Sequence, residues 1–131
     1  MGHQQDLSKY RLNEAQRCLQ TAKALMEIQD YKTAANRSYY CVYHCMRSVL
    51  ALESLDFKRH SGVISSFREK YVKTGIFDTK LSKIIDSLFK IRSQSDYDDF
   101  YIVSKQEIIE QIENAEYFFM QVKAYLDKQK E

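Results

Sequence analysis

Apolar residues recur along this chain at spacings of three and four positions, the period of a helix with one face toward a core. The pattern predicts helices over residues 6–28, 31–53, 61–75 and 78–92, and a last helix that begins at residue 104. Four long helices and one short one, joined by short connections, predict an all-α fold: an antiparallel up-and-down helical bundle. Residues 93–103 form a polar, aromatic connection before the last helix.

Several helix ends carry capping residues. Ser104 is followed three positions later by Glu107, the spacing of a capping box, so this helix start is the best defined. Single residues indicate the other ends: Asp30, Ser61 and Asp78 as N-caps, and Gly75 after a C-terminus.

The second helix has the widest apolar arc and should lie at the centre of the bundle. In the last helix, Phe118 and Tyr125 fall off the main inward stripe, and one small bundle offers no second layer to cover them. We therefore expect a two-fold symmetric homodimer, with an interface that includes the second and fourth helices near Arg92.

Composition supports one helical domain over residues 1–131. Proline is absent, only three glycines occur, and the net charge of +2 implies no broad attraction to nucleic acid or membrane. No apolar run approaches the roughly 18 residues that span a bilayer, and residues 1–10 lack the apolar core of a secretory signal. We expect a cytoplasmic protein with no membrane association.

The cysteines do not indicate a metal site. Cys41, His44 and Cys45 crowd one helical turn, but a closed zinc site needs four ligands, and the sequence has no second Cys or His pair to complete it. We expect Cys18, Cys41 and Cys45 to be small buried thiols, with no metal and no cofactor bound.

Arg92 is the residue that fits its helix least. It continues the apolar stripe of Leu81, Ile85 and Leu88, where a leucine would be expected. A guanidinium cannot deprotonate, so it needs an anion, a wet cleft or a partner surface. Asp96 is the nearest carboxylate in sequence. Two interpretations stay open: an intramolecular clamp with Asp96, or a functional cleft.

The central helix carries a second polar cluster, opposite its apolar arc. An ordinary solvent-facing stripe would contain mostly Glu, Lys and Gln, whereas this one combines rings and guanidinium groups suited to stacking and to contacting anions. Its residues are Asn36, Arg37, Tyr40, Tyr43, His44 and Arg47. For His44 alone, a structural hydrogen-bonded histidine is the simpler interpretation.

Three segments in register resemble the bacterial and archaeal branch of the HEPN domain family. They are AANRSYYCVYH at residues 34–44, HSGVI at 60–64 and RSQSDYDDF at 92–100. The resemblance implies a bundle of four or five helices that pairs about a two-fold axis. It also implies possible partners, because members are often associated with minimal nucleotidyltransferases and many are RNA-cutting toxins.

The family's nuclease motif is incomplete in this chain. In the nucleases an arginine is followed after four to six residues by a histidine, and RNA is cut without metal. Arg92 matches the arginine, but Tyr97 stands where the histidine could first appear, and aspartates follow it. The motif is similar to that of a subgroup with Arg, three residues, then Asp-Tyr. Tyrosine, with a pKa of about 10, is a poor proton carrier, so we expect cleavage to be absent or very slow.

The leading functional hypothesis is therefore a HEPN-domain accessory protein in a toxin–antitoxin-like system. It would pair with a nucleotidyltransferase, or bind nucleotide or RNA at these residues: Arg92, Asp96, Tyr97, Tyr40, His44, Arg37 and Arg47. One alternative is a metal-independent endoribonuclease, in which Arg92 stabilises the transition state and His44 moves the proton, with His60 as the other possible stand-in. A second alternative is a purely structural interaction module.

Overall fold

The computed structural model describes residues 2–129 and consists of helices and their connections. The helices are α1 (Gly2–Glu27), α2 (Tyr31–Ala51), α3 (His60–Phe67) with a π-helical turn (Arg68–Val72), α4 (Lys80–Tyr97) and α5 (Lys105–Gln129). Within these residues there is no β-strand, and the predicted all-α class is confirmed. No helix in residues 2–129 has the length and apolar character needed to cross a membrane.

Helix α2 is the centre of the bundle, as the width of its apolar arc predicts. It contacts each of α1, α3, α4 and α5. Only residues 28–30 separate it from α1, and Gln29 in this connection has a positive φ of 64°. So short a link makes the two helices antiparallel neighbours. The most deeply buried α2 side chains include Tyr39, Val42, Met46 and Val49.

Two of the predicted N-caps, Ser104 and Asp30, are confirmed, whereas the N-cap of α4 is Thr79 and not the predicted Asp78. Ser104 Oγ accepts a hydrogen bond from the Glu107 backbone N–H at 3.0 Å, and a Glu107 carboxylate oxygen accepts one from the Ser104 N–H at 3.1 Å. Both bonds of the predicted capping box are therefore present. Asp30 likewise accepts from the Thr33 N–H at 3.3 Å, as expected of an N-cap.

The third helix differs from its prediction at its start. It begins at His60, and its N-cap is Arg59, in an extended conformation with no side-chain capping bond. Ser61 therefore lies inside the helix and does not cap it. The π-helical turn places Tyr71 and Val72, adjacent in sequence, both in the core. Gly75 then ends the segment with φ of 83°, a left-handed conformation that glycine adopts readily.

The fourth helix is longer than predicted. It continues five residues past Arg92 to Tyr97, and the Asp98 N–H closes the last turn on the Gln94 carbonyl oxygen at 3.0 Å. The predicted end at Arg92 is wrong because residues 93–97 contain no glycine or proline, and Ser95 is buried against the bundle. Arg92 and Asp96 consequently lie one turn apart on the same helix face.

Phe118 and Tyr125, which the sequence places off the inward stripe of α5, are packed against other parts of the same chain. Phe118 is fully buried, and its ring centroid lies 5.7 Å from that of Phe67 in α3. Tyr125 packs edge-on against Phe77 at 5.2 Å. Helix α3 and the segment after it supply the second layer, which the sequence pattern does not reveal. These two residues therefore give no support to a dimer interface, and the homodimer itself stays a prediction.

Candidate functional site

A cleft of about 650 Å³ lies between α3 with its π-helical turn and α4. Ile64, Ile85 and Phe89 form its apolar part. Four cationic side chains (Arg59, Arg68, Lys73 and Arg92) line it against two acidic ones (Glu69 and Asp86), with His60, Ser61 and Ser65 completing the wall. A concave surface with an apolar floor and an excess of cations suits an anionic ligand that also carries an apolar or aromatic part.

Arg92 is half-buried at one wall of this cleft. Its guanidinium carbon lies 4.9 Å from the ring centroid of Tyr39 and 5.3 Å from that of Tyr40, and its Nη2 donates to the Tyr40 hydroxyl at 3.4 Å. Its Nε lies 3.1 Å from an Asp96 carboxylate oxygen, an ion pair without the alignment of a hydrogen bond. The side chain is 24% exposed, so Arg92 is both held by its neighbours and accessible to a ligand.

His60 shares the cleft with Arg92, although the two residues belong to different helices. Its Nδ1 lies 3.0 Å from the Tyr39 hydroxyl, and its ring packs against Tyr43 with centroids 4.1 Å apart and the ring planes inclined by 32°. Burial raises the pKa of Tyr39 to about 12, so the phenol stays neutral and bonded to the imidazole. Burial, followed by the positive charges of Arg92 and Arg47, lowers the pKa of His60. The surroundings of His60 in the cleft therefore favour the neutral form of its imidazole.

The sequence pattern indicates His60 only as an alternative to His44 and does not indicate Tyr39 as a site residue. The hydrogen-bonding contact between Tyr39 and His60 joins α2 to α3. The spacing of residues within either helix does not indicate this contact. The available signal was the run Arg59-His60-Ser61 at the start of a helix, which combines a cation, an imidazole and a hydroxyl at one end of the element.

His44 is not among the residues that line the cleft. Its ring lies 6.1 Å from Tyr40 and 5.8 Å from Tyr43, and its Nδ1 is buried with no hydrogen-bond partner within residues 2–129. Burial and the charge of Arg47 lower the pKa of His44. The structure thus places it in the tyrosine cluster of α2, one turn beyond Tyr40.

The other predicted cations lie along the same face of α2. The Arg37 guanidinium stacks 5.1 Å from the Tyr40 centroid, so Arg37 and Arg92 both contact that ring. Arg47 lies 5.7 Å from the Tyr43 centroid and pairs with Asp56 at 3.4 Å. Arg37 thus extends the cationic surface beside Arg92, whereas the charge of Arg47 is partly compensated.

Tyr97 is separate from this cluster. It ends α4, is 88% exposed and is not part of the cleft lining. Of the predicted ligand-binding residues, the structure brings Arg92, Asp96, Tyr40 and Arg37 into one contiguous group. Tyr97 lies at the edge of this group and is open to solvent.

The three cysteines are buried free thiols. Cys41 Sγ lies 4.0 Å from the Ala115 carbonyl oxygen, and burial raises the pKa of the Cys45 thiol well above its usual value. No group of three or more His, Cys, Asp or Glu side chains with the geometry of a metal site occurs in the part of the chain that the structure describes.

This geometry defines a class of protein: a helical bundle with a cationic cleft between two of its helices, in which tyrosines hold the cleft residues Arg92 and His60. A family model described as the HEPN domain matches residues 8–125, and the chain belongs to the HEPN domain family. A UPF0332 protein of Thermotoga maritima is 30% identical over 118 residues, which cover 90% of this chain and 89% of that protein.

Two archaeal relatives extend the comparison. A UPF0332 protein of Archaeoglobus fulgidus is 29% identical over 123 residues, covering 94% of this chain and 98% of the relative. A Methanocaldococcus jannaschii protein named "Putative toxin MJ0142" is 27% identical over 115 residues, covering 88% of this chain and 78% of the relative. The similarity therefore spans nearly the whole bundle, including the cleft.

Proposed function

We propose that the protein is the HEPN component of a toxin–antitoxin-like system and that it binds phosphate groups of nucleotide or RNA at the Arg92 cleft. The observation that carries this proposal is the position of Arg92, which stacks on Tyr39 and Tyr40 yet remains open to a cleft with three further cations. Guanidinium groups bind phosphate through paired hydrogen bonds, and those beside aromatic faces keep a fixed orientation.

The walls of the cleft suit the rest of a nucleotide. Phe89 is 44% exposed in its lining and offers an aromatic face, while Tyr40 lies outside the lining, half-buried beside Arg92. Bases stack on such rings with little regard to sequence, and each stacked base contributes about 1–3 kcal/mol. The combination of stacking faces and cations supports binding of single-stranded RNA or nucleotide over binding of an inorganic anion alone.

The partnership with a minimal nucleotidyltransferase is part of the same proposal. Two Methanocaldococcus jannaschii relatives carry the word toxin in their names. In this chain, the exposed Tyr97 beside Asp96 offers a phenol to which a partner enzyme could attach a group. A homodimer would present two such clefts to one partner complex.

A second candidate, a metal-independent endoribonuclease, is favoured by one observation: His60 lies in the same cleft as Arg92. In this reaction the RNA 2′-hydroxyl attacks phosphorus, the bond to the 5′-oxygen breaks, and Arg92 stabilises the charge on the phosphorane. His60 Nε2 would take the 2′-hydroxyl proton and return it to the 5′-oxygen. This role is proposed for His60 over the predicted His44 because His60 lines the cleft and His44 does not.

One experiment tests both candidates. A fluorescent single-stranded oligoribonucleotide is mixed with purified protein in EDTA, with binding followed by anisotropy and cleavage by denaturing gel. We expect salt-dependent binding to intact RNA and a loss of about tenfold or more in Arg92→Ala, because a charge-assisted contact is removed. Arg17→Ala is the matched control, since Arg17 is a highly exposed arginine on α1.

The possible outcomes separate the candidates. Cleavage in EDTA that disappears in His60→Ala and persists in His44→Ala would establish the endoribonuclease. If cleavage were lost in both His60→Ala and His44→Ala, the proton transfer could not be assigned to one of these histidines. Failure of wild-type protein to bind RNA or nucleotide, or equal losses in Arg92→Ala and Arg17→Ala, would refute the proposed phosphate site.

A further inference from the structure

Tyr39 is a buried polar residue that contacts His60. Only 1% of Tyr39 is exposed, and its hydroxyl lies 3.0 Å from His60 Nδ1. Within residues 2–129, no other acceptor is bonded to this hydroxyl. A buried hydroxyl has one proton to donate, and leaving that proton without an acceptor costs free energy. The direction of this hydrogen bond therefore decides which nitrogen of the His60 ring carries a proton.

The surroundings of Tyr39 indicate that it is the donor. If Nδ1 donated to the phenol oxygen, the phenol proton would have no acceptor within residues 2–129. Arg92, whose guanidinium carbon lies 4.9 Å from the Tyr39 ring centroid, cannot take this proton because a guanidinium only donates. Burial raises the pKa of Tyr39 to about 12, so the phenol also keeps its proton at neutral pH. Donation from Tyr39 to Nδ1 satisfies both groups.

The proton of the neutral imidazole then lies on Nε2. A neutral imidazole carries one N–H, so a ring that accepts at Nδ1 is protonated at Nε2. The titratable and charged neighbours of His60 are Tyr39, Tyr40, Tyr43, Arg92 and Arg47. Within residues 2–129, none of these neighbours is a carboxylate, the kind of partner that accepts a hydrogen bond from a protonated Nδ1.

His60 Nε2 is the ring nitrogen that a ligand can reach. His60 lines the Arg92 cleft, and Nε2 is accessible and has no hydrogen-bond partner within residues 2–129. Arg92 lines the same cleft with a group that can only donate. Two donors therefore face one cleft, a cationic guanidinium and a neutral imidazole N–H.

We propose that Tyr39 is a positioning residue that keeps the His60 proton on Nε2, so that His60 donates a hydrogen bond to a ligand in the Arg92 cleft. The ligand group must then consist of acceptors, as phosphate oxygens do, because both His60 and Arg92 donate to it. The identity of the ligand rests on the proposed function, whereas the position of the proton does not.

The same proton position bears on the endoribonuclease candidate. A protonated Nε2 has no free lone pair, so it cannot take the proton of an RNA 2′-hydroxyl. Its own proton would first have to move to Nδ1, which would leave the Tyr39 hydroxyl without an acceptor. The contact between Tyr39 and His60 thus supports phosphate binding over proton abstraction.

Nuclear magnetic resonance locates the proton in the ligand-free protein. Long-range 1H–15N correlation spectra distinguish protonated from unprotonated ring nitrogens, and at about pH 8 a histidine with a pKa of about 6.5 or lower is neutral. The signals of His60 are those that disappear in His60→Gln. We expect a protonated Nε2 and an unprotonated Nδ1, with a smaller fraction of the other tautomer than in the exposed His3.

Two tyrosine variants form a matched pair. Tyr39→Phe removes the donor and should raise the fraction of His60 protonated at Nδ1 toward that of His3. Tyr43→Phe removes a hydroxyl from another ring that packs against His60, with centroids 4.1 Å apart, and should leave this fraction unchanged. A wild-type His60 protonated at Nδ1, or equal fractions in the wild type and both variants, would overturn the role of Tyr39.

Substitutions of His60 test the donor role with the fluorescent oligoribonucleotide in EDTA. Glutamine keeps an N–H donor, so His60→Gln should bind within about threefold of the wild type, whereas His60→Leu should bind about tenfold more weakly. Equal affinities of the two variants, or metal-independent cleavage that both substitutions abolish, would overturn the donor role. Failure of the wild type to bind the oligoribonucleotide, with Nε2 protonated in the spectra, would count against the proposed function and leave the role of Tyr39 established.

Discussion

Arg92 combines features of both interpretations that its sequence position allows. Its ion pair with Asp96 joins two partly exposed side chains, and such pairs contribute at most about 1 kcal/mol. Its stacking on Tyr39 and Tyr40 contributes about as much again. Because these contributions to the free energy of unfolding are small, the neighbours of Arg92 fix its position, but Arg92 contributes little to the stability of the fold.

A substitution that completes the apolar stripe should therefore separate stability from binding. We expect Arg92→Leu to melt at the wild-type temperature or higher, because leucine packs on the tyrosine rings and removes a half-buried charge. RNA binding should be lost in the same variant. Arg92→Ala should cost about 1–2 kcal/mol, since it loses both stacking and ion pair. Circular dichroism melts and anisotropy titrations measure the two properties.

The contrary result is equally clear. A marked loss of stability in Arg92→Leu, with RNA binding retained by the folded fraction, would show that the arginine holds the fold and does not contact ligand.

The residues of the cleft differ in how far the sequence reveals them. Arg92 and Tyr40 are recognisable because each departs from the pattern of its own helix. His60 is harder to assign, because its significance comes from a hydrogen bond to Tyr39 across two helices. A helical period shows which residues share a face of one element but contains nothing about which faces meet.

At the scale of elements, the paired signal of a capping box predicts a helix start well, whereas a single capping residue such as Ser61, or the end of an apolar stripe, predicts a helix boundary poorly. The Ser104–Glu107 capping box needs only four consecutive residues and is formed as predicted. The apolar stripe stops near Arg92 and so predicts that α4 ends there. The helical backbone hydrogen bonds nevertheless continue to Tyr97, where no apolar stripe is present. An apolar pattern marks where a helix is buried, and a helix can extend beyond its buried part.

The two serines assigned as caps provide a matched pair for stability measurements. Ser104→Ala should lower the free energy of unfolding by about 1 kcal/mol, because the Glu107 N–H loses its acceptor. Ser61→Ala should change it by less than about 0.5 kcal/mol, since Ser61 is exposed and does not cap α3. Urea unfolding of both variants gives the comparison. Equal losses would mean that Ser61 caps α3 after all, or that the Ser104 bond contributes nothing.

For the whole molecule, the bundle and its central helix follow from periodicity, but the covering of α5 does not. Phe118 and Tyr125 are packed by Phe67 and Phe77, which come from a short helix and the connection after it. Such segments have weak patterns of their own, so their contribution to a core is decided by the chain path. The same path brings α3 beside α4 and creates the cleft.

Burial of the histidines in this assembled bundle should make its stability depend on pH. The pKa of His60 and that of His44 are both lowered, mainly by burial. The unfolded chain, with histidine pKa values of about 6.5, therefore binds more protons than the folded chain once the pH falls below that value. The stability contribution is fully present above the unfolded pKa and is lost as the pH falls through the folded pKa.

We therefore expect the melting temperature to fall between about pH 7 and pH 5, and to fall less in His60→Gln, which keeps a polar partner for Tyr39 but cannot bind a proton. His3→Gln, at an exposed position in α1, is the control and should keep the wild-type pH dependence. Hydrogen bonds lower the pKa of Glu107, so this carboxylate loses its stabilising effect only at a more acidic pH. An unchanged pH dependence in His60→Gln would show that the imidazole gains its proton in the folded protein as readily as in the unfolded chain, and that burial in the cleft does not keep it neutral.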